Sequence, residues 1–257
     1  MNHLVLAVST ESSTKLLGEY ADVVLLDKDP LADKVGFYDT LYIRSHFADE
    51  TTLPQNFQTE IERMVQQAKE NNPNLKIVDG MDTVDEIIGF EDKWHQYTLY
   101  GSYMPHTELM NEGIDESRFQ KPVYKNRLSS NGSGVTWIRE KAIASPGNWI
   151  VQESLQIREE LRVYVLYGEV FPIGAVRESM TEDSKAHGVK ARPLTQDEID
   201  FSQQVMQQTP HLEIIGLDIA RVASGELMLI EVNRSPGFAK FYELTGTNLA
   251  SRIYEKI

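Results

Sequence analysis

Near the end of the chain, two apolar runs flank Ser224-Gly225 in the stretch LDIARVASGELMLIEVN (217–233). This pattern is typical of a β-hairpin with a two-residue turn, in which glycine supplies a positive φ angle. With Ser224-Gly225 as the turn, Asp218 lies opposite Glu231 on the neighbouring strand. Asn233 follows Glu231 by two residues and therefore shares its face of the sheet. The sequence predicts a hairpin that brings two carboxylates and an amide together.

Such a group of side chains needs a compensating charge or proton. Carboxylates about 5 Å apart repel by roughly 3 kcal/mol at an effective dielectric constant of 20. A shared proton would offset the repulsion, and so would Mg²⁺, which accepts carboxylate and amide oxygens beside phosphate oxygens. Ordinary charges at a solvated hairpin end are the third interpretation. Because the surrounding residues are apolar and favour burial, we take Asp218, Glu231 and Asn233 as candidate metal ligands.

A second informative stretch, KPVYKNRLSSNGSGVTWI (121–138), places Lys125 on a short strand before a loop of Ser, Asn and Gly. Backbone N–H groups in such a loop can bind phosphate oxygens, and a lysine can meet them as a point charge. The stretch is not a Walker loop, because no Gly-Lys-Ser/Thr opens a helix. An ordinary hairpin turn explains the same residues, so the loop alone decides nothing.

Residues 1–85 have the pattern of a small α/β domain. β-rich apolar runs predict four strands, at 3–9, 22–27, 40–45 and 74–80. Apolar residues at helical spacing predict a helix between Asn56 and Pro73. Strands that alternate with helices are typical of a parallel sheet. No Gly-x-Gly-x-x-Gly follows the first strand, so we expect no dinucleotide site there.

The remaining residues, 86–257, change in texture. A helical segment at 83–103 leads into a region dominated by strand runs, which predicts an α+β fold with largely antiparallel sheets. The clearest helix in this region is 195–209, where Thr195 and Glu198 have the spacing of a capping box.

Composition excludes several classes of protein. The formal charge is −14, from 39 acidic and 25 basic residues, so we expect no nucleic acid partner. No apolar run reaches about 18 residues, so we expect no membrane span. The chain has no cysteine, which excludes disulfides and thiolate metal sites and agrees with a cytoplasmic location.

Taken in order, these stretches resemble the ATP-grasp superfamily and, within it, the RimK-type carboxylate–amine ligases. The motifs that carry the resemblance are Gly216-x-Asp218, Glu231–Gly237 (EVNRSPG) and Thr245-Gly246 with Ala250. The resemblance covers about residues 90–257, while the first third is similar only in being a small α/β domain. It implies an ATP-grasp domain at 86–257, with a nucleotide-lid subdomain at about 90–150 and a catalytic, metal-binding subdomain at 151–257.

The resemblance assigns roles to individual residues. Asp218, Glu231 and Asn233 match the residues that hold magnesium. The positions that match ATP-binding residues are Lys93, Lys125, the loop residues Gly132, Ser133 and Gly134, the adenine linker Gln152, Glu153, Ser154 and Leu155, and the ribose-binding acid Glu160.

Four basic residues complete the expected site. Arg162 and Arg177 match catalytic positions that face the transferred phosphate or the acyl phosphate. Arg162 lies between apolar neighbours, so a buried structural carboxylate is the alternative partner. Arg234 stands where the family usually has a small residue, and we expect it to pair with a carboxylate of the substrate or of the protein. Lys185 belongs to a partly basic segment (180–193) that matches a substrate-binding loop.

The activity implied by the resemblance is ATP-dependent amide or peptide bond formation through an acyl phosphate. The expected cofactors are ATP and Mg²⁺, with Mn²⁺ as a substitute. The expected partners are a small molecule or peptide with a carboxylate and an amine donor, and homo-oligomerisation is left open. A peptide-maturation enzyme, a kinase and a nucleotide-binding module without ligase activity are the alternatives.

Overall fold

The computed structural model describes residues 1–7, 12–26, 36–44, 55–111, 113–129, 134–178 and 188–256. Three sheets follow one another along these residues. Within the described part of the chain, no helix is both long and apolar enough to cross a membrane.

The first sheet is parallel and four-stranded, as the sequence predicts. Its strands lie in the order β2-β1-β3-β4. The elements of this part are β1 (His3–Ala7), α1 (Ser12–Leu17), β2 (Asp22–Leu25), β3 (Thr40–Arg44), α2 (Gln55–Asn71) and β4 (Lys76–Ile77).

The fourth strand is much shorter than the predicted 74–80. After Ile77 the backbone turns, and Asp79 adopts a positive φ of 65°. The Asp79 carboxylate accepts hydrogen bonds from the backbone amides of Glu213 (2.7 Å) and Ile214 (3.0 Å). These contacts tie the chain to the start of a distant strand, which sequence periodicity does not reveal.

Two helices follow, α3 (Val84–Glu91) and α4 (Lys93–Tyr100), as the helical pattern at 83–103 predicts. They are separated at Asp92, whose carboxylate caps α4 by accepting a hydrogen bond from the Trp94 amide at 2.8 Å. The cap fixes the direction of α4 and therefore the position of its first residue, Lys93.

The second sheet is antiparallel, with the strand order β5-β8-β6-β7. Its elements are β5 (Thr107–Leu109), β6 (Pro122–Asn126), β7 (Val135–Thr136), α5 (Arg139–Ile143) and β8 (Trp149–Glu153). A separate small core lies beneath it, formed by Met110, Phe119, Tyr124, Ala142 and Val151.

The third sheet is also antiparallel and has the order β12-β11-β9-β13-β14, with β10 paired to β9. Its strands are β9 (Ile157–Leu166), β10 (Glu169–Val170), β11 (Ile173–Glu178), β12 (Val189–Pro193), β13 (Ile214–Val222) and β14 (Leu227–Asn233). The helices of this part are α6 (Gln196–Met206), α7 (Ala239–Thr245) and α8 (Leu249–Tyr254).

The main hydrophobic core is continuous between the first and third sheets. It joins residues such as Leu6 and Ile43 to Leu161, Leu217 and Leu229. The domain boundaries at about residues 85 and 150 stay predictions, although the separate core under the second sheet agrees with a distinct subdomain there.

Candidate active site

The hairpin that carries the acidic residues forms, but its turn differs from the prediction. The loop has three residues, because Val222 pairs with Glu226 (N–H to O, 3.0 Å), and Gly225 has the positive φ, 93°. A β-bulge then shifts the register between Asp218 and Ile219, leaving Ile230 as the extra residue on β14. The longer loop and the bulge offset each other, so Asp218 pairs with Glu231 as predicted.

The bulge also decides which residues face the core. Leu229 and Val232 are both buried in the main core, although three positions separate them. Ile230 instead lines a cleft on the other face of the sheet. A bulge therefore lets β14 supply an apolar side chain to this cleft immediately before Glu231.

Asp218 is neutralised by an arginine on the neighbouring strand. The Arg162 guanidinium donates to both Asp218 oxygens, from Nε (2.7 Å) and from Nη2 (2.6 Å). The Asp218 charge holds the pKa of Arg162 well above its usual range. Asn233 donates from its amide nitrogen to Asp218 Oδ2 at 3.1 Å. Thus the carboxylate partner that the sequence left open for Arg162 is Asp218.

Glu160 and Arg177 form a second pair on the same face. Their strands are in register, and Arg177 Nη1 lies 3.2 Å from Glu160 Oε1. Burial, followed by the charge of Asp218, raises the pKa of Glu160, and the surrounding basic residues oppose this rise. Arg177 keeps 40% of its side chain exposed, so it can reach a ligand.

The predicted phosphate lysines lie close to Glu231. Lys93 Nζ is 3.6 Å from Glu231 Oε1 and also donates a hydrogen bond to the Ser129 carbonyl. Burial lowers the pKa of Lys125 to about 8; the charge of Glu231 opposes this shift, and Lys93 adds to it. These contacts bring α4, β6 and β14 together at one end of the cleft.

The cleft itself is a cavity of about 900 Å³ between the second and third sheets. This volume is within the range of sites for nucleotide-sized ligands. The residues of the predicted ATP site that line it are Lys125, Gln152, Glu153, Ser154, Leu155 and Glu160. The Glu153 carboxylate accepts from the amides of Gln120 (2.7 Å) and Lys121 (3.0 Å), so its side chain holds the linker in place.

A smaller cavity of about 80 Å³ adjoins the polar face. Its lining includes Arg162, Arg177, Asp218 and Glu160. Glu160 lines both cavities and therefore marks the point where they meet.

Some predicted loop residues lie outside the described residues, namely Gly132, Ser133 and Lys185. Gly134 is described, and its carbonyl accepts a hydrogen bond from the Asn126 amide at 2.8 Å. This bond closes the phosphate-loop segment onto β6, next to Lys125.

The structure does not bring Arg234 to the described lining of either cavity. Arg234 is 1% exposed, and its guanidinium donates to the Ile43 carbonyl on β3. Since Asn233 faces the polar side, strand alternation turns Arg234 toward the first sheet. Its charge opposes the burial that raises the pKa of Asp79 to about 6. The expectation that Arg234 contacts the substrate therefore has no support in this geometry.

Several cavity residues were not singled out from the sequence. Trp137 lines the large cavity and is 49% exposed. Tyr164, Lys240 and Phe241 line the small one. Tyr164 could have been found, because it lies two residues after Arg162 on the same strand face. The other three lie beside the site only through tertiary packing.

The candidate metal ligands offer two carboxylates and one amide. The described residues contain no group of three or more His, Cys, Asp or Glu side chains that could hold a metal ion. Oxygen ligands of this kind nevertheless suit Mg²⁺, which takes one or two carboxylates and completes its shell with phosphate and water oxygens. The set therefore fits a magnesium ion that arrives with a nucleotide.

The three sheets and the cleft between the second and third define the ATP-grasp fold. A family model described as an "ATP-grasp domain", the third family of its clade, matches residues 52–249. The chain therefore belongs to this ATP-grasp family.

Solved structures support the fold over the whole chain. ATP-grasp ligase PsnB, complexed with a minimal precursor, is 16% identical, with a TM-score of 0.69 and 100% of both chains covered. D-cycloserine synthetase DcsG is 14% identical, with a TM-score of 0.71 and 99% of each chain covered. Macrocyclase MdnC from Microcystis aeruginosa MRC, bound with precursor peptide MdnA, is 14% identical, with a TM-score of 0.67 and coverage of 100% and 99%. No curated protein matches the sequence.

Proposed function

We propose that this protein is an ATP-dependent carboxylate–amine ligase of the RimK-like type, which forms an amide or peptide bond through an acyl phosphate. The observation that carries the proposal is the junction at Glu160, where the nucleotide-sized cavity meets the small cavity. Basic residues lie on both sides of this junction, with Lys125 in the large cavity and Arg162 and Arg177 in the small one.

The large cavity takes ATP. Its adenine would lie along the linker at Gln152–Leu155, with Ile230 and Val123 as apolar walls. Glu160, near the junction, would accept hydrogen bonds from the ribose hydroxyls. Lys125 and Lys93 would contact the phosphates, and Lys93 would exchange its contact with the Ser129 carbonyl for a phosphate oxygen.

The small cavity takes the carboxylate of the substrate. Arg177 has an exposed guanidinium there and would neutralise the carboxylate beside the γ-phosphate. A carboxylate oxygen attacks the γ-phosphorus, and the bond to ADP breaks. An amine then attacks the carbonyl carbon, inorganic phosphate leaves with the former carboxylate oxygen, and the amine loses a proton. These steps depend on positioning and charge neutralisation, so no nucleophilic side chain is needed.

Asp218, Glu231 and Asn233 would hold Mg²⁺, or Mn²⁺ in its place, and the ion would neutralise phosphate charge. Arg162 keeps Asp218 ionised and oriented on β13, as its two hydrogen bonds indicate. Asn233 orients the same carboxylate from β14.

The substrate class is proposed from the printed descriptions of similar structures. PsnB and MdnC are described in complex with a precursor or precursor peptide, and DcsG as a synthetase of a small molecule. For this chain we propose a peptide or amino acid with a free carboxylate, joined to a separate or internal amine.

A screen of amino acids and acidic peptides tests this function. The purified protein is incubated with ATP, Mg²⁺ and each pool, phosphate release is measured, and product masses are determined. Ligation gives a condensed product with the loss of one water per bond, and this result supports the proposal. A stable phosphate adduct would indicate a kinase, and nucleotide binding without turnover would indicate a binding module; either result contradicts it. Glu231→Gln serves as the inactive control.

A further inference from the structure

The segment 234–238 connects β14 to α7 and begins immediately after Asn233. Its Gly237 lines the small cavity, together with Lys240 from the first turn of α7. The position of this loop therefore sets the shape of the cavity in which the substrate carboxylate is proposed to react.

The N-terminal α/β part holds the backbone of this loop at several points. The Tyr42 hydroxyl donates to the Arg234 carbonyl at 3.0 Å, and Arg44 Nη2 donates to the Pro236 carbonyl at 2.9 Å. Ser13 Oγ accepts from the amides of Phe238 (2.9 Å) and Ala239 (3.1 Å).

Side-chain packing reinforces the same connection. The Arg44 guanidinium carbon lies 5.3 Å from the centroid of the Phe238 ring, a cation–π distance. Phe238 is 1% exposed and belongs to a core cluster that also contains Tyr42 and Tyr164. From the third sheet, Tyr164 donates to the Gly237 carbonyl at 2.8 Å.

These contacts reach the loop from outside the reaction space. Within the described residues, no member of residues 1–85 lines the large or the small cavity. Tyr42 and Arg44 are 2% and 3% exposed, so the substrate has no direct route to either side chain. What they touch is loop backbone, and any effect on the reaction passes through the loop.

We infer that Ser13, Tyr42 and Arg44 are positioning residues, which hold the 234–238 loop as one wall of the small cavity. This inference gives the N-terminal part a role in the reaction without a ligand site of its own. Its consequence for catalysis rests on the proposed function, whereas the holding of the loop does not.

Hydrogen–deuterium exchange on the full-length protein tests the holding directly. Ser13→Ala removes the acceptor of the Phe238 and Ala239 amides, and we expect at least tenfold faster exchange in a peptide covering 234–239. Tyr42→Phe and Arg44→Met, whose contacts are to carbonyls, should raise exchange in the same peptide. Lys76→Met is the matched control, because it removes another contact between the first and third sheets, the Lys76–Glu213 ion pair (2.7 Å), away from the loop.

Unchanged exchange at 234–239 in Ser13→Ala and Tyr42→Phe, or an equal increase in Lys76→Met, would overturn the inference. Tyr42→Phe keeps the ring, so it serves if Ser13→Ala or Arg44→Met does not fold. In turnover assays, ADP affinity should stay within twofold of wild type while ADP release per ligated product rises, because a displaced wall exposes the acyl phosphate to water. A wild-type protein that forms no ligated product would count against the proposed function and leave the exchange result standing.

Discussion

The Arg162 guanidinium and the Asp218 carboxylate lie opposite each other on adjacent strands and share two hydrogen bonds, of 2.7 and 2.6 Å. Asp218 is 6% exposed, so removal of its partner leaves a buried charge uncompensated. This pair links the structural and chemical roles of the polar face, because the same carboxylate is the proposed metal ligand.

Arg162→Met should lower the free energy of unfolding by about 3 kcal/mol, the usual cost of breaking a buried ion pair from one side. Arg162→Met combined with Asp218→Leu should recover most of that loss, because neither charge is then left unpaired. Urea denaturation measures both values. The control is Arg252→Met, which removes an exposed pair with Glu255 and should cost under about 0.5 kcal/mol. Equal costs for the two single variants would contradict the assignment.

Lys125 should make nucleotide binding sensitive to alkaline pH. Burial lowers its pKa to about 8 in the free protein, so above that pH the lysine loses its proton and its attraction for phosphate. Calorimetry should show several-fold weaker ADP binding at pH 9 than at pH 7.5. Lys125→Arg should remove this dependence, because arginine stays protonated, and Lys125→Met should bind weakly at both values. The same alkaline loss in Lys125→Arg would exclude Lys125 as its source.

Glu198 should contribute an acid-sensitive part of the stability. Burial alone would raise its pKa, but hydrogen bonds from Arg192, Arg221 and the Thr195 amide hold it at about 2. A lowered pKa means that the stabilisation is complete above pH of about 4.5 and is lost as the pH falls toward 2. Glu198→Gln should cost about 3 kcal/mol at pH 7 and lose less stability than wild type upon acidification. Glu243→Gln, on an exposed helix face, is the control, and parallel pH profiles for wild type and Glu198→Gln would refute the prediction.

Gly216 is required because the loop after Asn233 crosses it. A Cβ atom on residue 216 would lie 2.7 Å from the Cβ of Pro236, too close for either residue to stay in place. Gly216→Ala should therefore displace the loop and reduce turnover at least tenfold while ADP still binds. Gly89→Ala is the matched control, since a Cβ there meets nothing within 4 Å, and it should leave turnover unchanged and slightly stabilise α3. Normal turnover in Gly216→Ala would show that the loop tolerates displacement.

The polar face could be predicted from the sequence because strand alternation is local. The hairpin placed Asp218 opposite Glu231 correctly, although its turn has three residues and not two. The compensating bulge at Ile230 was not predictable, since apolar residues occupy both strand faces there and the pattern shows no break. The register was therefore right through two local errors that cancel.

Arg234 shows what local patterns leave out. Alternation places its side chain away from Asn233, but the group that it meets is the Ile43 carbonyl, 191 residues earlier in the chain. No spacing rule connects positions so far apart. The same holds for the shortened strand β4, where contacts of Asp79 with Glu213 and Ile214 replace the last predicted strand residues.

The central claim is that a substrate carboxylate is activated by phosphoryl transfer, and an isotope experiment tests it most directly. A peptide or amino acid that supports turnover is prepared with ¹⁸O in its carboxylate and incubated with the protein, ATP and the amine. The mass of the released inorganic phosphate is then measured. An acyl phosphate route transfers one ¹⁸O atom to each phosphate that is released with product. Product formation with unlabelled phosphate would contradict the mechanism proposed for this protein.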